Sequence, residues 1–475
     1  MKQILSRTKI IATLGPAAST MEVISRMAGE GADVFRINFS HSKKEDFLRL
    51  SNIIRELNKV SASEVSILAD LQGPKLRVGE IENNRLELAA GDIINFVSEK
   101  CIGNKEKIYM SYQEFASDVN QGEFILIDDG KIKLEVIETD KKGSVKAKVI
   151  YGGILSSKKG VNLPNTKVSL PCLTDDDISN VLYAIEHDVD WIALSFVRKA
   201  SDVRELKDLI KKNGGRAGVI AKIEKPEALY EIDQIIDIAD GIMVARGDLG
   251  VEMPFEEVPL KQKMIVKKCI EQSKPVIIAT QIMESMITNF MPTRAESNDV
   301  ANAVLDGADA LMLSGETSVG KYPVETVHNM QRVIYHTESR GCNFIRQYKP
   351  VEGTIHPLAD SICDNASAFA KEVNAKAVIT FTHSGYTALR ISSHRPEADI
   401  FAFTNNRDIL QYMTLIWGVR AFYLDKYEDL EEAIAESVKI LKGKKLLTSG
   451  DCVVFIGSIP LNEHGKTNIL KVSYI

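Results

Sequence analysis

The chain has 475 residues, 44% of them hydrophobic and 26% charged, with a formal net charge of −6. Such a length exceeds what one hydrophobic core organises, about 250–300 residues, so two or three domains are expected, each with an ordinary globular balance of residues and no need of disorder. The acidic excess, without any dense Lys/Arg run, excludes nucleic acid as an expected partner.

At the amino terminus Lys2, Arg7 and Lys9 interrupt the apolar residues before a signal-peptide core can form, and no later stretch approaches a membrane span. A cytoplasmic location without membrane contact is expected. Cys101, Cys172, Cys269, Cys342, Cys363 and Cys452 are far apart and form no C-x-x-C pair, which signals neither a disulfide framework nor a zinc site.

Eight short, β-branched apolar runs follow one another: TKIIATL from Thr8, ADVFRIN from Ala32, VSILAD from Val65, DWIALSF from Asp190, AGVIAKI from Ala217, GIMVAR from Gly241, PVIIAT from Pro275 and DALMLS from Asp309. Amphipathic stretches such as KEDFLRLSNIIRELNKV and ASDVRELKDLIKK lie between them, the rhythm of strand–helix units on a parallel sheet. Eight is the number that closes such a sheet with a filled interior, so a (β/α)8 barrel is expected. Between Asp70 and Leu173 the rhythm breaks into alternating segments, RLELAAGDIINFV, EFILIDDG and KIKLEVIE, which read as a small all-β domain. Gly73 and Pro74 at its entry, with Pro164 and Pro171 at its exit, are hinge residues. After the helical stretch PVETVHNMQRVIYHTES a second α/β set appears: KAVITFT, DIFAFT, RAFYLD, DCVVFIG and NILKVSY.

Barrel enzymes work from the carboxy-terminal ends of their strands. Here the second run ends in Arg36, Asn38, Ser40 and His41, the third in Asp70, the fifth in Lys222 and Glu224, the sixth in Arg246 and Asp248, the seventh in Thr280, and the eighth in Ser314 and Glu316. A single polar strand end would be unremarkable; six at one mouth point to a site. Glu224 and Asp248 suit one hard divalent cation, although alone they read equally well as solvated loop acids. Lys222 stands two residues before Glu224 and therefore on the same side of its strand, a pairing that stabilises a transferring phosphoryl group or an enolate. The turn at Gly247 offers backbone N–H groups to an anion. Arg36 serves as an anion receptor or as half of an ion pair across the mouth. Asn38, Ser40 and Asp70 form a cation pocket or hydrogen-bond one another. His187, His356 and His464 have no partner at ligand spacing, and GYTALR lacks the lysine of a P-loop.

With these residues in hand the chain resembles the pyruvate kinases. RTKIIATLGPA, FRINFSH, DLQGPKLRVG, SKKGVNLP, VIAKIEKPEAL, VARGDLGVE, IATQIMESM, MPTRAE and MLSGETSVGKYP match that family's landmarks in order, over essentially the whole chain. The resemblance implies a catalytic (β/α)8 TIM barrel from residues 1–70 and 172–345, an inserted small β-barrel lid at 71–171, and a C-terminal α/β regulatory domain at 346–475. It implies transfer of the phosphoryl group of phosphoenolpyruvate to ADP, giving pyruvate and ATP, with Mg2+ or Mn2+ held by Glu224 and Asp248. Lys222 would stabilise the phosphoryl group and enolate and Arg36 grip the phosphate, while Thr280 with the backbone of Gly247 and Asp248 binds the carboxylate. Thr280, Ser314 and Glu316 would belong to a proton relay. Lid closure would bring Asp128 or Asp129 and Lys159 to a nucleotide near Pro16, Asn38, His41 and Arg77.

Two further expectations come from this likeness. Potassium-requiring members carry Glu where this chain has Lys75, beside a pocket matching Asn38, Ser40, Asp70 and the Leu71 carbonyl; the ammonium group at Lys75 would replace the ion, so no K+ requirement is expected. A phosphorylated allosteric effector would bind Thr382, His383, Ser384, Gly385 and Thr387 beneath a covering segment, SIPLNEHGKTN, in a homotetramer. The rival readings are a metal-dependent aldolase or lyase for pyruvate-like substrates, and an inactive binding protein of the same fold.

Overall fold

The computed structural model describes residues 6–60, 64–340, 356–425, 429–459 and 467–475. All eight expected runs become parallel strands of one closed barrel: β1 (Lys9–Thr13), β2 (Val34–Asn38), β3 (Ser66–Asp70), β4 (Trp191–Leu194), β5 (Gly218–Ile223), β6 (Gly241–Ala245), β7 (Val276–Ala279) and β8 (Ala310–Leu313). Closure is made by β1 pairing with β8 on one side, Lys9 opposite Ala310, and with β2 on the other. Nearly every residue of these strands is buried, because helices cover the outside and side chains fill the inside.

The block between β3 and β4 obeys a different rule. Its strand Ile132–Thr139 alternates buried and half-buried residues, the signature of a sheet with one face on a core and one toward water. Six strands run in the order Val161–Asn162, Phe124–Ile127, Ile132–Thr139, Ser144–Tyr151, Ile93–Val97, Lys107–Tyr109. The entering segment then touches both edges, Arg77 bridging Gly160 and Val78 bridging Met110, so the sheet curls closed around its own core of Leu134, Phe96, Phe115 and their neighbours. Leu86–Leu88 and Gly153–Leu155 add a two-stranded ribbon.

The carboxy-terminal strands are β9 (Ala377–Phe381), β10 (Asp399–Thr404), β11 (Val419–Tyr423), β12 (Cys452–Gly457) and β13 (Ile469–Tyr474), in the order β11-β10-β9-β12-β13, with only β13 antiparallel. This layer docks on the amino-terminal end of the barrel, opposite the mouth formed by the carboxy-terminal ends of the strands. Arg395 donates to the Gly307 carbonyl at 2.9 Å and pairs with Asp309 at 3.1 Å, just before β8. Arg395 and Arg7 both approach the Trp417 ring, 4.8 and 5.6 Å from its centroid, and Tyr412 stacks on Trp191 of β4 at 4.3 Å. Burial lifts the Asp309 carboxyl above its ordinary range, and Arg395 opposes that shift.

His187 meets Tyr183 edge to face, and His356 meets Tyr386 in the same way; both are half-buried. Cys101, Cys172, Cys269, Cys363 and Cys452 are free thiols; Cys342 and His464 lie outside the described residues. Among the described residues no helix is long and apolar enough to cross a membrane.

Candidate active site

The barrel topology alone brings Arg36, Asp70 and Lys222 together, since they end β2, β3 and β5 or lie one turn of the pleat inside those ends. Asp70, 1% exposed, is the centre of the group. Its Oδ2 accepts from Arg36 Nε at 2.6 Å and its Oδ1 from Lys222 Nζ at 3.2 Å. Burial by itself would raise the Asp70 carboxyl, but Lys222 and Arg36 outweigh it and hold the group below the usual range. Lys222 also pairs with Glu224 at 2.9 Å and donates to Ser195 Oγ at 2.7 Å. Burial disfavours its charge, yet Asp70 and Glu224 reverse the balance and keep the ammonium group protonated well above the ordinary lysine value. Arg36 completes its contacts through Thr13 Oγ1 at 2.9 Å. Of the two readings open for Arg36, the ion pair across the mouth is therefore formed, and it fixes the guanidinium at the site.

Glu224 lies immediately beyond β5 and Asp248 in the first turn of the helix Arg246–Glu252 that leaves β6. Glu224 Oε2 accepts from the Phe196 N–H at 2.7 Å. Burial raises the Glu224 carboxyl most, Lys222 lowers it, and the neighbouring charge of Asp248 raises it again, leaving it above the normal value. A carboxyl raised by burial and by a neighbouring acid in this way fits a divalent cation between the two side chains, whose charge would remove the penalty. Among the described residues no cluster of three or more His, Cys, Asp or Glu ligands exists. A pair of carboxylates is nonetheless the protein share that Mg2+ takes when water and substrate oxygens complete its shell.

A second stitched region joins β6 and β7. Thr280 has φ 68° and Gln281 φ 52°, left-handed values that strain a β-branched residue by about 1–3 kcal/mol. Arg246 holds this turn, donating to the Thr280 carbonyl at 2.9 Å and gripping both oxygens of Asp299 at 2.8 Å. In return Thr280 Oγ1 accepts from the Gly247 N–H at 2.7 Å. A Cβ at Gly247 would approach that hydroxyl to 3.2 Å, so the backbone gap beside Thr280 depends on glycine. At the end of β8, Glu316 is 3% exposed and its oxygens accept from the N–H groups of Ser314 at 2.7 Å and Met283 at 3.2 Å.

The remaining expected residues divide by location. Asn38 Oδ1 accepts from the Ser40 N–H at 2.9 Å, and the Leu71 carbonyl accepts from Ser195 Oγ at 2.7 Å. In the inserted domain Lys159 pairs with Asp128 at 2.7 Å, while Asp129 is exposed, as is Pro16 on the barrel. Arg77 donates to the Lys158 carbonyl at 3.1 Å, and Lys75 is exposed beside Gly160. The effector candidates are not at this mouth: Thr382, His383, Ser384, Gly385 and Thr387 follow β9, with Thr382 Oγ1 accepting from the Gly385 N–H at 3.0 Å and Thr387 facing Thr467 at 3.1 Å. Residues 460–466 of the segment proposed to cover them lie outside the described residues.

Thr13 and Ser195 were not singled out from the sequence, although both are hydroxyl residues ending barrel runs and the strand-end rule applies to them equally.

A buried charge cluster of Arg36, Asp70, Lys222 and Glu224 at the mouth of a (β/α)8 barrel is the arrangement of a barrel enzyme that handles an anionic substrate. The family model for the pyruvate kinase barrel domain matches residues 5–327, and that for the pyruvate kinase alpha/beta domain matches residues 360–473. A curated pyruvate kinase of Geobacillus stearothermophilus is 41% identical over 99% of this chain and 80% of its own length, and one of Methylorubrum extorquens is 39% identical over 99% and 97%. A crystal structure of a pyruvate kinase from Cryptosporidium parvum superposes with a TM-score of 0.92 at 34% identity, covering 99% of this chain and 96% of the other. The chain belongs to the pyruvate kinase family.

His41 gives a direct reading of the field at this mouth. Partial burial, then the charges of Lys75, Arg36 and Arg77, hold its imidazole below the usual value. The unfolded chain therefore takes up this proton first, and His41 withdraws stability as pH falls through its unfolded value near 6.5. NMR titration should place its midpoint below that of a free imidazole, and Lys75→Glu should move it upward; an unmoved midpoint would show that Lys75 does not act on this site.

Proposed function

We infer that this chain is a phosphotransferase that moves the phosphoryl group of phosphoenolpyruvate to ADP, giving pyruvate and ATP. The observation that carries this reading is Lys222, buried and held cationic between Asp70 and Glu224, two residues from one acid of the candidate cation pair and sharing Asp70 with Arg36. Glu224 and Asp248 would hold Mg2+ or Mn2+, which supplies charge neutralisation and a template for substrate oxygens. Arg36 binds the phosphate, and its bond to Asp70 fixes the approach. Lys222 faces the charge that develops as the phosphorus–oxygen bond breaks, first on the phosphoryl group and then on the enolate. The N–H groups of Gly247 and Asp248 with Thr280 orient the carboxylate. Thr280 and Ser314 hydroxyls with water return a proton to the enolate, Glu316 anchoring the Ser314 end of that relay. The inserted domain, through Lys159, Asp128 and Asp129, meets the nucleotide, whose other neighbours are Pro16, Asn38, His41 and Arg77.

Potassium is not required in this reading. Both Asp70 oxygens already receive fixed cations, the Asn38 side-chain oxygen is taken by Ser40, and Lys75 adds positive charge felt at His41. A monovalent ion there would meet repulsion at short range. The loop Thr382–Thr387 is read as an effector phosphate site, because Gly385, at φ 81°, opens the helix Tyr386–Ser393 beneath exposed His383 and Ser384.

Pyruvate formation coupled to lactate dehydrogenase should depend on ADP; pyruvate released without ADP would favour the lyase reading. Glu224→Ala and Asp248→Ala should each fold and lose nearly all turnover, and Lys222→Met should lower kcat far more than it raises KM. A Lys222→Met effect confined to KM would remove its transition-state role. Replacing tetramethylammonium by potassium at equal ionic strength should change kcat and both KM values by no more than about two-fold, whereas Lys75→Glu should gain potassium dependence; strong activation of the wild type would overturn this part. Ser384→Asp should abolish the response to sugar-phosphate or nucleotide effectors, and an unaltered response would displace the site.

A further inference from the structure

Glu252 is 4% exposed, and no step described above uses it. It lies one helical turn after Asp248, in the same helix. Its Oε1 accepts from Lys225 Nζ at 2.6 Å and from Asn162 Nδ2 at 2.7 Å. Lys225 directly follows Glu224, and the side chains of Lys225 and Glu252 are 11% and 2% exposed. Asn162 belongs to the inserted domain, in its short strand Val161–Asn162. One carboxylate oxygen thus joins the three bodies of the catalytic mouth: the strand end bearing Glu224, the helix bearing Asp248, and the lid.

The chemistry of the junction explains why it is stiff. A buried carboxylate is costly unless paired, and a short charge-assisted bond to a nearly buried ammonium tolerates little displacement. A Lys225 side chain fixed at its tip constrains the backbone next to Glu224, while Glu252 constrains the register of a helix only seven residues long. The lid meets this helix a second time: Asp128, Asp129 and Gly130 form a left-handed turn at φ 55°, 58° and 83°, and a Cβ built on Gly130 would lie 3.8 Å from Val251. Seating of the lid is therefore felt by the helix that carries Asp248.

We propose that Glu252 and Lys225 are positioning residues that set the spacing of Glu224 and Asp248, and that Asn162 couples lid seating to that same carboxylate. The assignment rests on the kinase reading for the roles of Glu224 and Asp248. By linkage, the lid and the cation strengthen each other's binding.

The test uses the full chain and Mn2+ alone, followed by electron paramagnetic resonance, so that the readout does not depend on turnover. Glu252→Gln should weaken Mn2+ binding by about 10–100-fold with unchanged circular dichroism, and Lys225→Arg, which keeps the charge, should restore most of what Lys225→Gln loses. Asn162→Ala should raise KM for ADP while changing kcat little, and adding Glu252→Gln to it should raise KM less than the two single effects combined. A folded Glu252→Gln protein with wild-type Mn2+ affinity overturns the spacing role, and additive KM effects overturn the coupling. Should Glu252→Gln fail to fold, the pair Glu252→Gln with Lys225→Gln removes both charges together and is judged by the same Mn2+ criterion. A wild type that binds Mn2+ but makes no pyruvate would instead defeat the kinase reading and leave the positioning role standing.

Discussion

The arrangement depends on one buried negative charge shared by two cations. Asp70 receives Arg36 on one oxygen and Lys222 on the other, at 1% exposure. Removing one member of such a cluster leaves an uncompensated charge, at a cost of about 3–5 kcal/mol. The cluster is therefore cooperative: Arg36 and Lys222 are held side by side at a site where they would otherwise repel. Asp70 and then Glu224 hold Lys222 protonated against its own burial. The same ion pairs that make the mouth stable also give it the electrostatic character that phosphoryl transfer requires.

The inserted domain is anchored to that cluster rather than simply tethered nearby. Ser195 Oγ receives Lys222 and donates to the Leu71 carbonyl, at the first residue after β3. On the returning chain Arg198 donates to the carbonyls of Val168 and Leu170 at 2.6 and 2.7 Å, and Cys172 points its thiol at the Ser195 carbonyl at 3.2 Å. Gly73, at φ 67°, passes so close to Phe196 that a Cβ would come within 2.6 Å of its ring. Entry and exit of the inserted domain thus both run against the residues that hold Lys222. Pro74 and Pro171, the stiff residues visible in the sequence, stand at junctions whose fixtures are hydrogen bonds from Ser195 and Arg198, just after β4.

At the opposite end of the barrel the carboxy-terminal layer meets the strand beginnings through stacked rings and arginines. Arg390 extends this seam, bonding Ser273 Oγ at 2.6 Å and pairing with Asp360 at 2.9 Å. It lies on the helix Tyr386–Ser393, and Ser273 stands just before β7, the strand that ends beside Thr280. A continuous set of packed, hydrogen-bonded elements consequently runs from the proposed effector loop to the catalytic mouth.

The strands were legible in the sequence because barrel strands are buried on both faces, so eight apolar runs such as AGVIAKI stand out against amphipathic helices. The inserted domain showed itself by the change to alternation, as in KIKLEVIE, and the strand-end rule found Arg36, Asp70, Lys222, Glu224 and Asp248 without any coordinates. Sequence spacing also placed Lys222 and Glu224 together, since residues two apart share one side of a strand. Tertiary structure alone decided which of these groups meet. Arg36 and Asp70 are 34 residues apart and Asp70 and Lys222 are 152 apart, so their pairing follows from barrel closure and not from any local signal. Lys225, Glu252 and Asn162 lie inside segments the sequence made conspicuous and Ser195 just after β4, but nothing local names their partners; those are set only where the ends of β4 and β5, the helix after β6 and the inserted domain converge. Local periodicity determines which faces a segment buries, whereas the partner of a buried charge is set by whatever distant element the closed barrel brings within hydrogen-bonding distance.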